Sequence, residues 1–298
     1  MQKARIRIGI SGWQYAPWRG TFYPKDLPQR CELQYASGLL PIIEINGTFY
    51  ALQKPQSYAK WYAETPVDFV FALKGPRFIT HIKRLQDVGK PLANFFASGI
   101  FNLKEKLGPI LWQFAPNFKY DEELMRGFLA LLPRDTTAAS RLAKAREPFM
   151  KGRTRLAVDA NRTLRYAIEI RNESFVNASF IRLLREYQVA LVIAESARRW
   201  PMIQDVTADF LYLRLHGDKQ LYRSGYSEKS LQGWAARIAA WHRGGEPPDA
   251  AKVLSAAAPG RRRRDIYCFF DNTDVKLRAP FDAQSLMGKL GVRRGAAT

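Results

Sequence analysis

In Pro41-Ile42-Ile43-Glu44-Ile45-Asn46 a carboxylate and an amide close a short apolar run. Bounded by Pro41 and Gly47, Ile42–Asn46 reads as a buried strand with Ile42, Glu44 and Asn46 on one face and Ile43 and Ile45 on the other. The same polar ending recurs along the chain. Ala167, Glu169 and Arg171 alternate with Ile168 and Ile170; Tyr212, Arg214 and His216 alternate with Leu211, Leu213 and Leu215. Tyr267, Phe269 and Asp271 alternate with Cys268 and Phe270, and Val70, Ala72 and Lys74 with Phe69, Phe71 and Leu73. Gln113 and Glu195 close two further runs. Taking an ion out of water costs several kcal/mol unless it is paired, so polar strand ends mark either internal ion pairs or a ligand site. Seven such ends together favour a site.

Glu44, Glu169, His216 and Asp271 are the candidate catalytic groups. With Glu195 they form a set of hard or borderline ligands that could hold a divalent metal for phosphodiester or sugar chemistry, while Lys74, Arg171 and Arg214 grip an anion. Alternatively, two carboxylates serve as acid and base or nucleophile on a glycoside, with Trp13, Tyr50, Tyr222 or Tyr226 stacking on the sugar. Asn46, Gln113 and Asn272 complete the expected substrate contacts. The three cations favour an anionic substrate, phosphate- or carboxylate-bearing, over a neutral glycan, though they equally serve to neutralise the carboxylates. The chain has no Walker loop, HExxH or G-x-S-x-G, which removes the main support for nucleotide hydrolysis, zincin and serine-hydrolase chemistry.

These residues need elements to bring them together. Strand patterns fall at Ile6–Ser11, Ile42–Asn46, Phe69–Lys74, Pro109–Phe114, Tyr166–Arg171, Val189–Glu195, Phe210–His216 and Ile266–Asp271. Between them, helical spacing appears at Tyr58/Trp61/Tyr62, at Leu124/Phe128/Leu131 behind an acidic first turn at Asp121-Glu122-Glu123, at Phe180/Leu183/Leu184/Tyr187 behind Asn177, and at Leu231/Trp234/Ile238/Trp241 behind Ser227. Eight alternating strand and helix units predict a single (β/α)8 TIM-type barrel over 1–298, whose strands all point their carboxyl ends to one mouth. An open doubly wound sheet is the structural alternative, but no glycine-rich loop follows the first strand. A basic segment at about 134–164 interrupts the regularity, with a short helix expected at Ser140–Arg146, and a flexible tail is expected at about 291–298.

The formal net charge is +20 over 298 residues, which attracts polyanions. A non-catalytic nucleic-acid-binding protein is therefore a third functional reading, with Trp and Tyr side chains stacking on bases. Arg261–Arg264 precede the eighth strand, which places that basic run at the amino end, opposite the mouth. No uncharged apolar run reaches the ~18 residues of a membrane span. The first strand starts too near Met1 for a secretory signal, and Cys31 and Cys268 make no disulfide framework, so the expected compartment is the cytoplasm.

Ile10-Ser11-Gly12-Trp13-Gln14-Tyr15, Trp18-Arg19-Gly20 and Phe22-Tyr23-Pro24 open a series of motifs in the order of the chain. Glu44-Ile45-Asn46-Gly47-Thr48-Phe49-Tyr50, Phe71-Ala72-Leu73-Lys74 with Ile79-Thr80-His81, and Glu169-Ile170-Arg171-Asn172-Glu173-Ser174-Phe175 follow. Arg214-Leu215-His216-Gly217, Tyr222 with Tyr226, and Phe270-Asp271-Asn272 complete it. Together they resemble the YecE-like family, the bacterial domain-of-unknown-function family number seventy-two. The resemblance implies a TIM-type barrel in a bacterial cytosolic protein and implies no established reaction. The basic segment 141–155 and the four-arginine run depart from the family pattern.

Overall fold

The structure, a computed structural model, describes residues 4–258, 263–271 and 276–292. Eight parallel strands close a barrel in sequence order: β1 (Ile6–Ser11), β2 (Ile42–Ile45), β3 (Val70–Lys74), β4 (Leu107–Gln113), β5 (Tyr166–Glu169), β6 (Ala190–Glu195), β7 (Phe210–Leu215) and β8 (Asp265–Phe270). The ring is completed by β1 pairing with β8 through Ile6↔Ile266 to Ile10↔Phe270. Every expected strand exists. Several end before the residue that carries the chemistry: Asn46, Arg171, His216 and Asp271 lie just past the last ladder residue, where the backbone turns out over the mouth.

Alternation along the strands separates two apolar layers. Ile42, Val70, Ala72, Leu111, Ala167, Val192, Tyr212 and Phe269 fill the barrel interior. Ile43, Ile45, Phe71, Leu73, Ile168, Leu213 and Phe270 face the surrounding helices. Those helices include α1 (Glu32–Leu39), α2 (Gly47–Tyr50), α3 (Pro55–Ala63), α4 (Gly89–Ala97), α5 (Glu122–Leu131), α6 (Thr136–Ala143), α7 (Ala178–Glu186), α8 (Glu228–His242) and α9 (Ala279–Lys289). Asn177 and Ser227 cap their helices by accepting from Phe180 N and Ser230 N, and Asp121, expected in the first turn, is the cap of α5, accepting from Leu124 N. Leu131 is the exception in its stripe, remaining half-exposed on the last turn of α5.

The segment after α5 is an ordered addition, not a loose loop. Its helix, α6, begins at Thr136, ahead of the expected start at Ser140, because Asp135 caps it by accepting from Ala138 N. Asn94 on α4 both donates to Glu147 and accepts from its backbone N–H, and Arg155 N bonds Ala97 O, so the segment is tied along α4. At the amino end of the barrel Arg165 bridges Asp265 at 2.6 Å and Asp209 at 3.3 Å. Arg264 is buried there and donates to Gly245 O at 2.8 Å, so part of the four-arginine run is structural. Arg261 and Arg262 lie outside the described residues, as does the expected tail from 293 onward.

Gly9 lets β1 approach β2 closely, since a Cβ there would fall 1.8 Å from the Ile42 carbonyl oxygen. That neighbour is backbone and cannot rotate away. Gly9→Ala is expected to cost about 3 kcal/mol or more, at or beyond the top of the range for overpacking, read as a lowered urea midpoint. An unchanged midpoint would show that the barrel expands freely at this seam.

Candidate functional site

The polar strand ends meet inside the mouth, and Arg214 is at their centre. Its guanidinium, 1% exposed, donates through Nη1 to Glu169 Oε2 at 2.6 Å and through Nη2 to Glu44 Oε1 at 2.9 Å and Asp271 Oδ2 at 3.1 Å. The remaining carboxylate capacity is also engaged. Ser11 Oγ donates to Glu44 Oε1 and the Tyr212 hydroxyl to Glu44 Oε2, while Gln113 Nε2 and Arg171 Nε each donate to Glu169 Oε1 at 2.8 Å. Burial alone would raise the Glu169 carboxyl, but Arg171 and then Arg214 hold it well below the usual range.

This arrangement corrects three expectations. Arg214 is consumed by carboxylates and is not an open anion grip. Glu44 and Glu169, both fully buried, form the floor that holds it and do not line the cavity above. The donor set also does not fit a divalent metal, because a guanidinium stands where the carboxylates converge. Among the described residues no group of three or more His, Cys, Asp and Glu side chains forms a metal-binding set. Glu195 is apart from all of this: Ala190, Val192 and Ala194 take the interior positions of β6, so Glu195 falls on the opposite phase.

Above the floor lies a cavity of about 500 Å³ lined by Asn46, Phe49, Tyr50, Lys74, Arg77, His81, Gln113, Arg171, Arg214, Tyr222 and Asp271. Thr48 positions the Phe49-Tyr50 turn of α2 by donating to Ile45 O at 2.9 Å and Lys74 O at 2.7 Å. Tyr50 is 70% exposed at the rim. A single π-helical turn, Phe78–Ile82, carries His81 after β3, a local geometry frequent at functional sites. Gly217 (φ +127°) makes the turn beneath Tyr222, whose own φ of +61° is strained for a bulky residue.

Lys74 faces this cavity from the end of β3 and is 8% exposed. Among the described residues its amine forms no hydrogen bond or ion pair; it stands over the Phe49 ring, 4.2 Å from Nζ to the centroid. Burial, and then Arg214, lower its pKa to about 8 against partial compensation from Glu44, Glu169 and Asp271. Arg171 lies with its guanidinium 3.7 Å over the Trp200 ring, leaving Nη1 and Nη2 without a hydrogen-bond partner among the described residues. His81 is pushed down to about 4 by burial and by Lys74, Arg171 and Arg77, so it is neutral at pH 7.

His216 sits behind the cavity wall, fully buried, with its ring against Trp200 and Tyr222. Its Nδ1 lies 3.2 Å from Asp271 Oδ2, too oblique for a hydrogen bond of good geometry. Burial and Arg214 lower its pKa, so it supports Asp271 as a neutral ring. Two expected aromatic contacts lie elsewhere. Trp13 packs edge-on against Trp61 at 5.4 Å in the helix-facing layer, and Tyr226 packs on Phe270 while its hydroxyl accepts from Gly217 N. Asn272 lies outside the described residues. Arg77, His81 and Trp200 are not among the candidates that the sequence singles out; the first two sit in the loop directly after Lys74, which is the available signal.

The family model "Protein of unknown function DUF72" matches residues 7–297. The chain belongs to the DUF72 family. This DUF72 chain is 30% identical over 123 residues to the UPF0759 protein YunF of Bacillus subtilis (strain 168); the match covers 40% of this chain and 43% of that relative. It is similar in fold to the crystal structure of a DUF72 family protein from Thermotoga maritima MSB8, with TM-score 0.71, 22% identity and 96% and 99% of the two chains covered. A DUF72 family protein from Enterococcus faecalis V583 gives TM-score 0.69 at 18% identity, with 97% of each chain covered. Among the described residues of this DUF72 barrel, no helix is long and apolar enough to cross a membrane.

Two stability measurements follow from the floor and the cavity. Removing Arg214 leaves buried carboxylates without their partner, so Arg214→Met is expected to cost roughly 3–5 kcal/mol in urea unfolding; a loss below about 1 kcal/mol would contradict the central role. Lys74 behaves oppositely. Its folded pKa, about 8, lies below the ordinary 10.5, so the unfolded chain binds the proton more tightly. The penalty is fully present below pH 8 and is relieved as pH rises toward 10.5. Lys74→Met is therefore expected to stabilise the protein at pH 7 by at most roughly 3 kcal/mol, with the gain shrinking at pH 10. Destabilisation at pH 7 would refute this reading of the amine.

Proposed function

We propose that this DUF72 protein is an enzyme that binds a small anionic substrate, bearing a phosphate or carboxylate, in the mouth cavity. The observation that carries the reading is the cluster of Lys74, Arg171 and Arg77 around one cavity, with Lys74 Nζ and the Arg171 Nη groups free of protein partners among the described residues. Donor groups left over in a concave site after the internal ion pairs are made favour an anionic ligand. The Arg171 fork suits bidentate contact with phosphate or carboxylate, and stacking on Trp200 fixes its plane. Tyr50 and Tyr222 supply aromatic walls, and Asp271 is the carboxylate that reaches the cavity, so it is the candidate base.

The glycosidase reading loses support because its carboxylate pair would be drawn from Glu44 and Glu169, both tied beneath the cavity. Polyanion binding keeps one supporting observation. Arg141, Lys144, Lys151, Arg153 and Arg155 are all exposed on the segment around α6. That face is tied to the carboxyl end of α4, on the barrel's amino side, so it would act separately from the mouth.

A thermal-shift screen of inorganic phosphate, phosphorylated sugars and organic acids tests the mouth reading. A ligand present at 100 times its Kd is expected to stabilise wild type by ~2.7 kcal/mol. Arg77→Gln is expected to weaken that response at a nearly unchanged unliganded melting temperature. Arg171→Gln is expected to weaken it further, with a lower melting temperature from the lost contact to Glu169. Absence of any response in wild type would remove the proposal. Salt-sensitive oligonucleotide binding that is intact in Arg171→Gln would support the surface reading instead.

A further inference from the structure

Lys74 is poorly explained as an anion clamp alone. Three carboxylates lie in the same mouth, yet Glu44, Glu169 and Asp271 all turn to Arg214, and none approaches Nζ closely enough for an ion pair. The amine instead stands over the Phe49 ring at the edge of the cavity. A lysine that is desolvated and set beside other cations is the usual way a protein makes an amine nucleophilic near neutral pH. Here Arg214 lies beneath it, and Arg171, Arg77 and neutral His81 share its cavity.

We propose that Lys74 is a nucleophile that forms an imine with the carbonyl carbon of a small oxo compound whose anionic group is held by Arg171 and Arg77. This deepens the mouth reading and rests on it. The Nζ lone pair attacks the carbonyl carbon, and the C=O π pair moves to oxygen, which takes up a proton while the nitrogen releases one. The resulting carbinolamine loses its hydroxyl with a second proton, as water, and the nitrogen lone pair closes the C=N bond. No electron acceptor or donor is required. The lowered pKa of Lys74 is consistent with this role, since an appreciable fraction of the amine is neutral at pH 7 to 8. Tyr222, whose phenol is pushed up to about 12 by burial, remains a neutral hydroxyl on the same wall.

The test is borohydride trapping on the full chain. Pyruvate, glyoxylate and dihydroxyacetone phosphate are each added at pH 7.5 with and without sodium borohydride, and the protein is read by intact mass and peptide mapping. Reduction of an imine adds the mass of the oxo compound less one oxygen atom. The expected result is one such adduct with at least one probe, on the peptide bearing Lys74, absent from Lys74→Met and needing at least tenfold more probe in Arg171→Gln. Circular dichroism confirms that each variant is folded. No adduct above the Lys74→Met level with any probe, or equal labelling of many lysines, overturns the proposal. If anions still raise the melting temperature of wild type in that case, the mouth reading survives and only the nucleophile is lost. If they do not, both fall.

Discussion

The buried Arg214 guanidinium is the constraint on which the mouth depends. Three carboxylates from β2, β5 and the end of β8 would repel one another inside the barrel, and each would carry a large desolvation cost. One planar fork on β7 resolves this by reaching all three, with Tyr212, Ser11 and Gln113 taking up remaining oxygen lone pairs. The contact spans 170 residues between Arg214 and Glu44. It therefore exists only when the barrel is closed in register, and it fixes β2, β5, β7 and β8 relative to each other at their carboxyl ends.

With the carboxylates used inward, the cations above them are left for the cavity. Arg171 serves both levels: Nε points down to Glu169 while the outer face of its fork lies on Trp200. Lys74 has only the upper role. A floor whose carboxylates are engaged, under a partly unsatisfied cationic wall, is what a preorganised binding site needs, because the floor fixes geometry without competing for the ligand. The Phe49-Tyr50 turn and the π-helical turn at 78–82 complete the wall from the loops that follow β2 and β3, as expected where a rigid barrel carries function on its βα loops.

The barrel was legible because period-two alternation and recurring polar endings are local signals. The same alternation puts Glu44, Lys74, Glu169 and Arg214 in phase with the interior residues Ile42, Ala72, Ala167 and Tyr212, while Arg171 and Asp271 follow just past their strands. Glu195 is readable only as the polar end of its run, since Ala190 to Ala194 is apolar on both faces and the phase of such a strand cannot be read from its residues. Trp13 and Tyr226 illustrate another limit. An aromatic near a mouth packs equally well into the helix-facing layer, and only tertiary contacts separate Trp13 against Trp61 from Trp200 under Arg171. Whether Arg214 points its fork at a ligand or at carboxylates is likewise a tertiary question, because its partners come from strands far apart in the chain.

The charge inventory of the mouth also bears on what chemistry suits it. Glu44, Glu169 and Asp271 are balanced by Arg214, Arg171 and Arg77, so these fixed charges cancel and Lys74 decides the sign of the cavity. Its proton is disfavoured by burial first and Arg214 second. An anion arriving at Arg171 and Arg77 changes that balance by favouring positive charge nearby. A simple ion pair would respond by reprotonating the amine and quenching it. An imine responds differently, because its protonated form restores a cation at Nζ that is covalently fixed beside the ligand's own anionic group. The ligand's anionic group, which offsets burial and Arg214, is thus what stabilises the protonated form of the proposed imine once the carbon–nitrogen bond has formed.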